Sequence, residues 1–208
     1  MDRRGFLSAL SLAGASILTA TTGSEPAQSN AVDVRAILDD PDAPVGGNPA
    51  GDVTIVAYVD YNCPFCKRSE PDLQRLVSTD GRIRLIYKDW PVLAKSSVTG
   101  ARLALAAKYQ EKYEAAHAAL MALHGRGPDE AMRDAVAAAG VDTAQLDKDL
   151  DAHSDAIMDL IRRNAAQADA LQLKGTPVYL IGPYIAAEAL TYDEFADAVA
   201  EFRAHMGR

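Results

Sequence analysis

The sequence predicts an α/β fold that contains a large α-helical insertion. Two apolar runs rich in β-branched residues, Val53–Val59 and 83–88, flank a segment with apolar residues at helical spacing. A strand, a helix and a second strand in this order predict a βαβ unit with parallel strands. The Ala-rich stretch over 97–173 has a helical pattern instead. Because 49% of the 208 residues are apolar, the chain can bury a core of ordinary size.

The first 31 residues have the composition of an export signal followed by a linker. Adjacent Arg3 and Arg4 precede an apolar run from Phe6 to Ala20, and a polar stretch follows. This order is typical of a secretory signal, and the paired arginines indicate the twin-arginine route. A membrane anchor is the alternative, but the apolar run is shorter than the roughly 20 residues that a spanning helix needs. We therefore expect a periplasmic or otherwise extracytoplasmic protein.

The charge balance favours soluble protein partners over nucleic acid. Lys and Arg total 21 against 29 Asp and Glu, and the net charge of −8 is unchanged when residues 1–31 are left out. A nucleic-acid-binding face requires clustered basic residues, which this balance does not indicate. We expect a monomer.

The βαβ unit follows a lead-in at 32–52. Three prolines and three glycines predict an extended lead-in with one helical turn near 34–38, so we expect ordered structure to start at Val53. The run Val53–Val59 has the composition of a strand buried on both faces. A helix should begin at Cys63 or Pro64, since proline is tolerated in a first turn.

The insertion is predicted to contain four helices. Its breaks fall at 125–128, at Gly140 and near His153, and Asp142 with Gln145 resembles a capping box.

A hairpin and a last helix follow the insertion. The run at 178–181 reads as a strand, Gly182-Pro183 as a turn and 184–186 as the partner strand. Thr191 and Glu194 form a capping box for a helix that should end near Met206.

The chain has two cysteines, Cys63 and Cys66, in the pattern C-x-x-C. A structural disulfide in an oxidising compartment usually joins distant segments, whereas this pair closes almost no loop. A zinc site needs about four ligands, and the four histidines show no joint spacing with the cysteines. We interpret those histidines as ordinary surface or packing residues and predict no metal and no other cofactor. A two-cysteine copper site and an inert disulfide stay open as alternatives.

The position of the pair at a predicted helix start favours disulfide exchange. Exchange requires a thiolate, and the unpaired amide groups at a helix N-terminus stabilise one. Cys63 is therefore predicted to attack, and the less exposed Cys66 to resolve the mixed disulfide. Lys67 and Arg68 would add positive field if they point back.

Three motifs resemble the DsbA-like thiol–disulfide oxidoreductases of the thioredoxin superfamily: D-Y-N-C-P-F-C-K, K-D-W-P and G-T-P-V-Y-L-I-G. The resemblance covers the chain from about Pro41 to its end. It implies a thioredoxin-like fold over 53–94 and 174–208, with the helical insertion at 95–173.

The resemblance also implies supporting residues around the cysteines. Thr176-Pro177 would face them with a cis peptide bond, leaving the backbone of Thr176 free to pair with an extended substrate. Between the cysteines stand Pro64 and Phe65 instead of Pro-His, so no imidazole donates to Cys63, which favours a weaker oxidant. Asp60 is either a buried proton relay behind Cys66 or a solvated residue at a strand end.

The resulting hypothesis is an extracytoplasmic thiol:disulfide oxidoreductase that oxidises dithiols in exported proteins. Its implied partners are exported substrates with free thiols and a membrane or soluble redox protein that recycles the cysteine pair. The short lead-in favours an oxidase, because resembling isomerases carry a separate dimerisation domain. A reductase or isomerase, a copper- or client-binding protein and a non-catalytic interaction scaffold are the alternatives.

Overall fold

A five-stranded mixed sheet is the centre of the fold. The protein is described by a computed structural model over residues 32–207, so the predicted export signal at 1–31 lies outside the described residues. The strands are β1 (Val45–Gly47), β2 (Val53–Val59), β3 (Ile83–Asp89), β4 (Val178–Ile181) and β5 (Tyr184–Ala186), in the order β1-β3-β2-β4-β5. β2 and β3 pair in parallel and the other neighbours pair antiparallel, which confirms the predicted parallel pair.

Residues 32–207 also contain eight α-helices. They are α1 (Val34–Leu38), α2 (Pro64–Asp80), α3 (Lys95–Ala107), α4 (Tyr113–Met121), α5 (Asp129–Ala138), α6 (Thr143–Ala152), α7 (Ser154–Ala170) and α8 (Tyr192–Met206). Helices α3 to α7 lie between β3 and β4 in the chain. The mixed α/β architecture confirms the predicted fold class, whereas the division into domains stays a prediction.

The side chains of β2 alternate between two hydrophobic clusters. Ile55 belongs to the cluster that contains Leu73 of α2, and Val56 belongs to the cluster that contains Ile37 of α1 and Ala168 of α7. Both faces of the strand are therefore covered by helices, as the continuous apolar run predicts.

The expected start of ordered structure at Val53 is wrong, because β1 precedes it. Val45 lies opposite Ile86 of β3, and the amide of Tyr87 donates to the carbonyl of Pro44 at 3.0 Å. Glycine and proline disfavour a strand locally, so the sequence gives little sign of β1. Pairing with β3 overrides that preference.

The prediction of four helices in the insertion is also wrong. The segment predicted as its first helix forms two helices, α3 and α4, so the insertion has five. A short 3₁₀ turn at Lys108–Gln110 follows α3, and Glu111 then adopts φ 57° before α4 begins. No glycine or proline marks this break, which explains why the sequence pattern missed it. The breaks at 125–128, Gly140 and His153 are confirmed.

Of the two predicted capping boxes, the one at α8 is complete and the one at α6 is not. Thr191 and Glu194 exchange both capping hydrogen bonds. Asp142 accepts from the amide of Gln145, but the side chain of Gln145 donates to Asp149 instead of returning to Asp142. The hairpin between β4 and β5 turns through Gly182, where φ is +56° and a methyl group would collide with the ring of Phe202.

Candidate active site

Cys63 and Cys66 lie where β2 gives way to α2. After β2, the chain turns through Asp60–Asn62, and the amide of Cys63 donates to the carbonyl of Asp60 at 3.0 Å. Cys63 is the N-cap of α2 in an extended conformation, and Pro64 is the first helical residue. The predicted helix start is thus confirmed, and it puts the Cys63 sulfur over the first unpaired amides of the helix.

The Cys63 sulfur lies close both to hydrogen-bond donors and to a hydrogen-bond acceptor. The amide of Cys66 donates to Sγ at 3.4 Å, and the thiol itself donates to the carbonyl oxygen of Thr176 at 3.1 Å. A hydrogen bond from the Cys66 thiol, with help from the Thr176 side chain and from the amides of Cys66 and Phe65, outweighs burial and lowers the pKa of Cys63 to about 6. Cys63 is therefore mainly a thiolate at neutral pH.

The second cysteine is held as a thiol. Burial, together with its hydrogen bond to Cys63, raises the pKa of Cys66 far above its ordinary value. Two sulfurs of the same motif thus ionise very differently, which is the asymmetry that the predicted roles of attacking and resolving cysteine require.

Thr176 and Pro177 stand directly opposite the cysteines. The peptide bond between them is cis, and the Thr176 carbonyl is the oxygen that Cys63 contacts. The hydroxyl of Thr176 is buried and forms no hydrogen bond with another group, which leaves it available to stabilise the Cys63 thiolate. This loop is where the resemblance places it, although its role in catalysis stays a prediction.

A groove of about 690 Å³ runs beside the cysteine motif. Phe65 and Arg68 form its side on α2, with the Arg68 guanidinium 4.9 Å from the centre of the Phe65 ring. Thr176 and Ile185 line the opposite side. Half of the Phe65 surface (51%) is exposed, so an extended peptide can reach both an apolar wall and the backbone at Thr176.

Asp60 is buried, so the expectation of a solvated residue is wrong. One carboxylate oxygen accepts from the amide of Asn62 at 2.7 Å, and the other accepts from Val92 at 2.8 Å and Leu93 at 2.9 Å. Asp60 thereby joins the loop after β2 to the loop after β3. The backbone amide of Asp60 opposes the rise in the pKa of Cys66, but it is outweighed by burial. A proton relay through Asp60 stays a prediction.

The insertion is tied directly to the cysteine motif. The Lys67 ammonium donates to the carbonyls of Leu123 at 2.7 Å and Gly125 at 2.6 Å. Asn62 accepts from the amide of Gly127 at 2.9 Å. Lys67 thus holds the loop between α4 and α5. The sequence had suggested that its charge could instead point back toward the sulfurs.

One buried histidine lies near the site although no sequence motif singles it out. His117 of α4 is 1% exposed and contacts both Tyr61 and Glu70. The available signal was Glu70 itself, an acidic residue that shares the buried face of α2 with Leu73 and Val77 at helical spacing. Over residues 32–207, no three His, Cys, Asp or Glu side chains group closely enough to hold a metal ion.

Known proteins resemble this chain in sequence and in structure. A family model with the description Thioredoxin matches residues 39–201. A thioredoxin-like oxidoreductase from Silicibacter pomeroyi is 38% identical, with a TM-score of 0.78 over 83% of this chain and 98% of that one. The thiol-disulfide exchange protein alpha-DsbA2 from Wolbachia pipientis is 29% identical, with a TM-score of 0.76 over 81% and 90%. A periplasmic thioredoxin-like protein from Salmonella enterica serovar Typhimurium is also 29% identical, with a TM-score of 0.71 over 82% and 95%.

Curated relatives of a different length also match. The Na(+)/H(+) antiporter NhaA 1 of Mycolicibacterium gilvum is 29% identical over 156 residues, which are 70% of this chain and 25% of the antiporter. The chain thus spans about a quarter of the length of the curated relatives that it matches. Among the helices at 32–207, none combines the length and the apolar character needed to cross a membrane.

Thiol–disulfide exchange is the chemistry that alpha-DsbA2 is named for, and a C-x-x-C pair at a helix start is the kind of site that such chemistry uses in this chain. The chain belongs to the thioredoxin family and, within the thioredoxin superfamily, it is a DsbA-like protein.

Proposed function

We propose that the chain is an extracytoplasmic oxidase that introduces disulfides into exported proteins through a Cys63–Cys66 disulfide. The observation that carries this proposal is the hydrogen-bonded Cys63 sulfur at the start of α2, with its pKa lowered to about 6. Stabilising the thiolate favours the reduced pair, so the corresponding disulfide is a better oxidant.

In the oxidising direction, a substrate thiolate attacks the Cys63 sulfur of the disulfide. The Cys63–Cys66 bond breaks, its electron pair leaves on Cys66, and Cys66 takes up a proton because burial raises its pKa. A second substrate thiolate then attacks the substrate sulfur of the mixed disulfide, and Cys63 leaves as a thiolate. Two electrons have passed from the substrate to the cysteine pair. Cys66 resolves the mixed disulfide only when the same steps run in reverse.

The groove and the Thr176 backbone support a peptide substrate. A disulfide-bonded Cys63 has no proton to donate, so the Thr176 carbonyl that it contacts in the reduced state becomes free for a substrate amide. Phe65 provides an apolar wall for the neighbouring side chain. Substrates with a cysteine in an unfolded, extended segment suit this arrangement.

The location and the partners belong to the same proposal. The composition of residues 1–31 supports export, and one of the similar structures is that of a periplasmic protein. The reduced pair must then pass its two electrons to a membrane or soluble redox partner. We propose that the protein acts as a monomer.

The reduction potential of the Cys63–Cys66 couple tests the direction of electron flow. We expect equilibration with glutathione to give a value clearly above the roughly −270 mV of thioredoxin, toward that of protein disulfide isomerase and beyond. A value at or below the thioredoxin potential would contradict an oxidase and favour a reductase.

Trapping tests the roles of the two cysteines. The Cys66→Ala variant, reduced at Cys63, should attack unfolded substrate proteins that carry a disulfide, release one substrate sulfur as a thiolate and accumulate as a mixed disulfide, because no second cysteine is left to resolve it. The matched Cys63→Ala variant should accumulate none, and trapping on Cys66 in that variant would reverse the assignment.

A further inference from the structure

A buried polar cluster connects the insertion to both sides of the cysteine motif. Tyr61 lies two residues before Cys63, and Glu70 lies four residues after Cys66. His117 of α4 contacts both of them, with Nδ1 3.0 Å from the Tyr61 hydroxyl and Nε2 3.0 Å from Oε1 of Glu70. All three side chains are buried.

The contact between His117 and Glu70 is a buried ion pair. Burial opposes the charge on each group, but their mutual attraction raises the pKa of His117 and lowers the pKa of Glu70. The His117 N–H is poorly aligned on the carboxylate, so charge attraction matters more here than hydrogen-bond geometry. A second donor, the Gln74 amide, reaches the same oxygen of Glu70 at 2.7 Å.

Further polar groups complete the surroundings of His117. The Tyr61 hydroxyl lies 3.5 Å from that of Tyr113, which donates to Asp89 of β3 at 3.0 Å. Tyr87 of β3 donates to Glu114 of α4 at 3.4 Å. The imidazolium is therefore surrounded by three acids, from α2, β3 and α4. Removing one member of such a cluster leaves the others buried and unpaired.

Tyr61 transmits this arrangement to the reactive sulfur through a short stretch of backbone. The neighbouring carbonyl of Asp60 accepts from the amide of Cys63 at 3.0 Å. On the far side of the motif, Glu70 is part of α2, whose first amides face Cys63. His117 thus spans the motif from the segment before it to the helix after it.

We propose that His117 is a positioning residue for thiol–disulfide exchange, which joins Tyr61 to Glu70 and thereby fixes the Cys63 sulfur against the first turn of α2. The inference rests on the proposed function, because it concerns how the same cysteine is made reactive. His117 contacts neither sulfur, so its effect passes through the positions of Tyr61 and Glu70. The hydrogen bond from the Cys66 amide to Sγ spans 3.4 Å, and a displacement of either residue weakens it.

The test compares Tyr61→Phe, His117→Gln and the double variant in the full chain. Tyr61→Phe removes only the hydroxyl that His117 contacts, so it preserves the packing of the ring. In each single variant we expect the reaction of Cys63 with a small aromatic disulfide to slow about fivefold to tenfold at pH 5 to 6 and to recover at alkaline pH, where every variant is ionised. The ultraviolet absorbance of the thiolate should titrate at a correspondingly higher pH.

The double variant separates positioning through Tyr61 from a general loss of stability. If both changes break the same connection, the double variant reacts no more slowly than either single one. His153→Gln is the matched control, because this histidine of the insertion stacks on Tyr109 instead. It should leave the titration of Cys63 unchanged.

Two results would overturn the inference: an unchanged Cys63 titration in Tyr61→Phe, or rate losses that simply multiply in the double variant. If His117→Gln does not fold, Tyr61→Phe and Glu70→Gln decide the question with the same readout. The thiolate titration requires no protein substrate and no direction of electron flow. The proposed oxidase function could therefore fail while the thiolate titration still supports a positioning role for His117. Equally, an unchanged titration would overturn that role without contradicting the oxidase function.

Discussion

The Cys63 sulfur and the Thr176 carbonyl oxygen lie 3.1 Å apart, and the thiol donates to that oxygen. This bond favours the protonated sulfur, whereas the hydrogen bonds from Cys66 and Phe65 favour the thiolate. The second group prevails, since the pKa of Cys63 falls to about 6. The same carbonyl therefore restrains the reactivity of the cysteine and offers a partner to substrate.

The first prediction concerns alkylation of the reduced protein. Because Cys63 ionises at about pH 6, its rate of reaction with iodoacetamide should rise through that pH and level off above it. The Cys63→Ser variant should lose this phase, because burial keeps Cys66 protonated. A midpoint near the ordinary cysteine value of about 8.5 would contradict the structure.

The second prediction concerns the hydroxyl of Thr176. It is buried, lacks another partner and helps to lower the pKa of Cys63, so Thr176→Val should raise that pKa by roughly half a unit to one unit. The backbone contact to Cys63 is retained in this variant. Thr79→Val, at the opposite end of α2, is the control. An unchanged titration in Thr176→Val would show that the hydroxyl does not act on the sulfur.

The third prediction concerns the pH dependence of stability at Asp89. Burial raises the pKa of this carboxyl from 3.8 to about 6. The folded protein then holds the proton more tightly than the unfolded chain, so this contribution to stability is present below about pH 4 and is lost as the pH rises through 6. Asn stays neutral over the whole range.

Urea denaturation of the wild type and of Asp89→Asn should reveal that contribution. The free energy of unfolding of the wild type, relative to the variant, should fall by about 2 kcal/mol between pH 4 and pH 7. Asp151→Asn, an exposed site on α6, should show no such change. A constant difference between wild type and Asp89→Asn would mean that Asp89 has the same pKa in the folded and in the unfolded protein.

The fourth prediction concerns an ion-pair network that anchors the last helix. Arg203 of α8 donates to Asp52 before β2 at 2.6 Å and to Asp80 at the end of α2 at 2.7 Å. Arg203→Gln should lower the free energy of unfolding by about 1 to 2 kcal/mol, and by less in concentrated salt. Arg162→Gln breaks only an exposed pair with Asp159 and should cost under about 0.5 kcal/mol. Equal losses in the two variants would contradict a special role for the network.

The sequence predicts the strands and helices that have strong local signals. β2 matches its predicted bounds because its apolar run has no competing signal, and α2 starts at Pro64 because proline fits a first turn. β1 and the break at Glu111 depend on pairing and packing with distant residues, so no local pattern marks them.

The residues of the candidate site also fall into those that a local motif predicts and those that only the fold brings together. The cysteine pair and Thr176-Pro177 are short motifs that can be recognised one at a time. The contact between Tyr61 and His117 joins residues 56 positions apart, and only the fold brings them together. Phe65 was identified by its place between the cysteines, but its partner Arg68 and the groove beside it required the structure.

Gly100 of α3 shows how closely the insertion has become fitted to the catalytic segment. A methyl group at this position would lie 3.1 Å from a ring carbon of Tyr61 and 3.1 Å from the sulfur of Met132. A side chain at this position would therefore push on Tyr61 or Met132 by a few tenths of an ångström, and Tyr61 lies only two residues before Cys63. A change of volume inside the insertion can therefore be felt at the cysteine motif, although the two are separate segments of the chain.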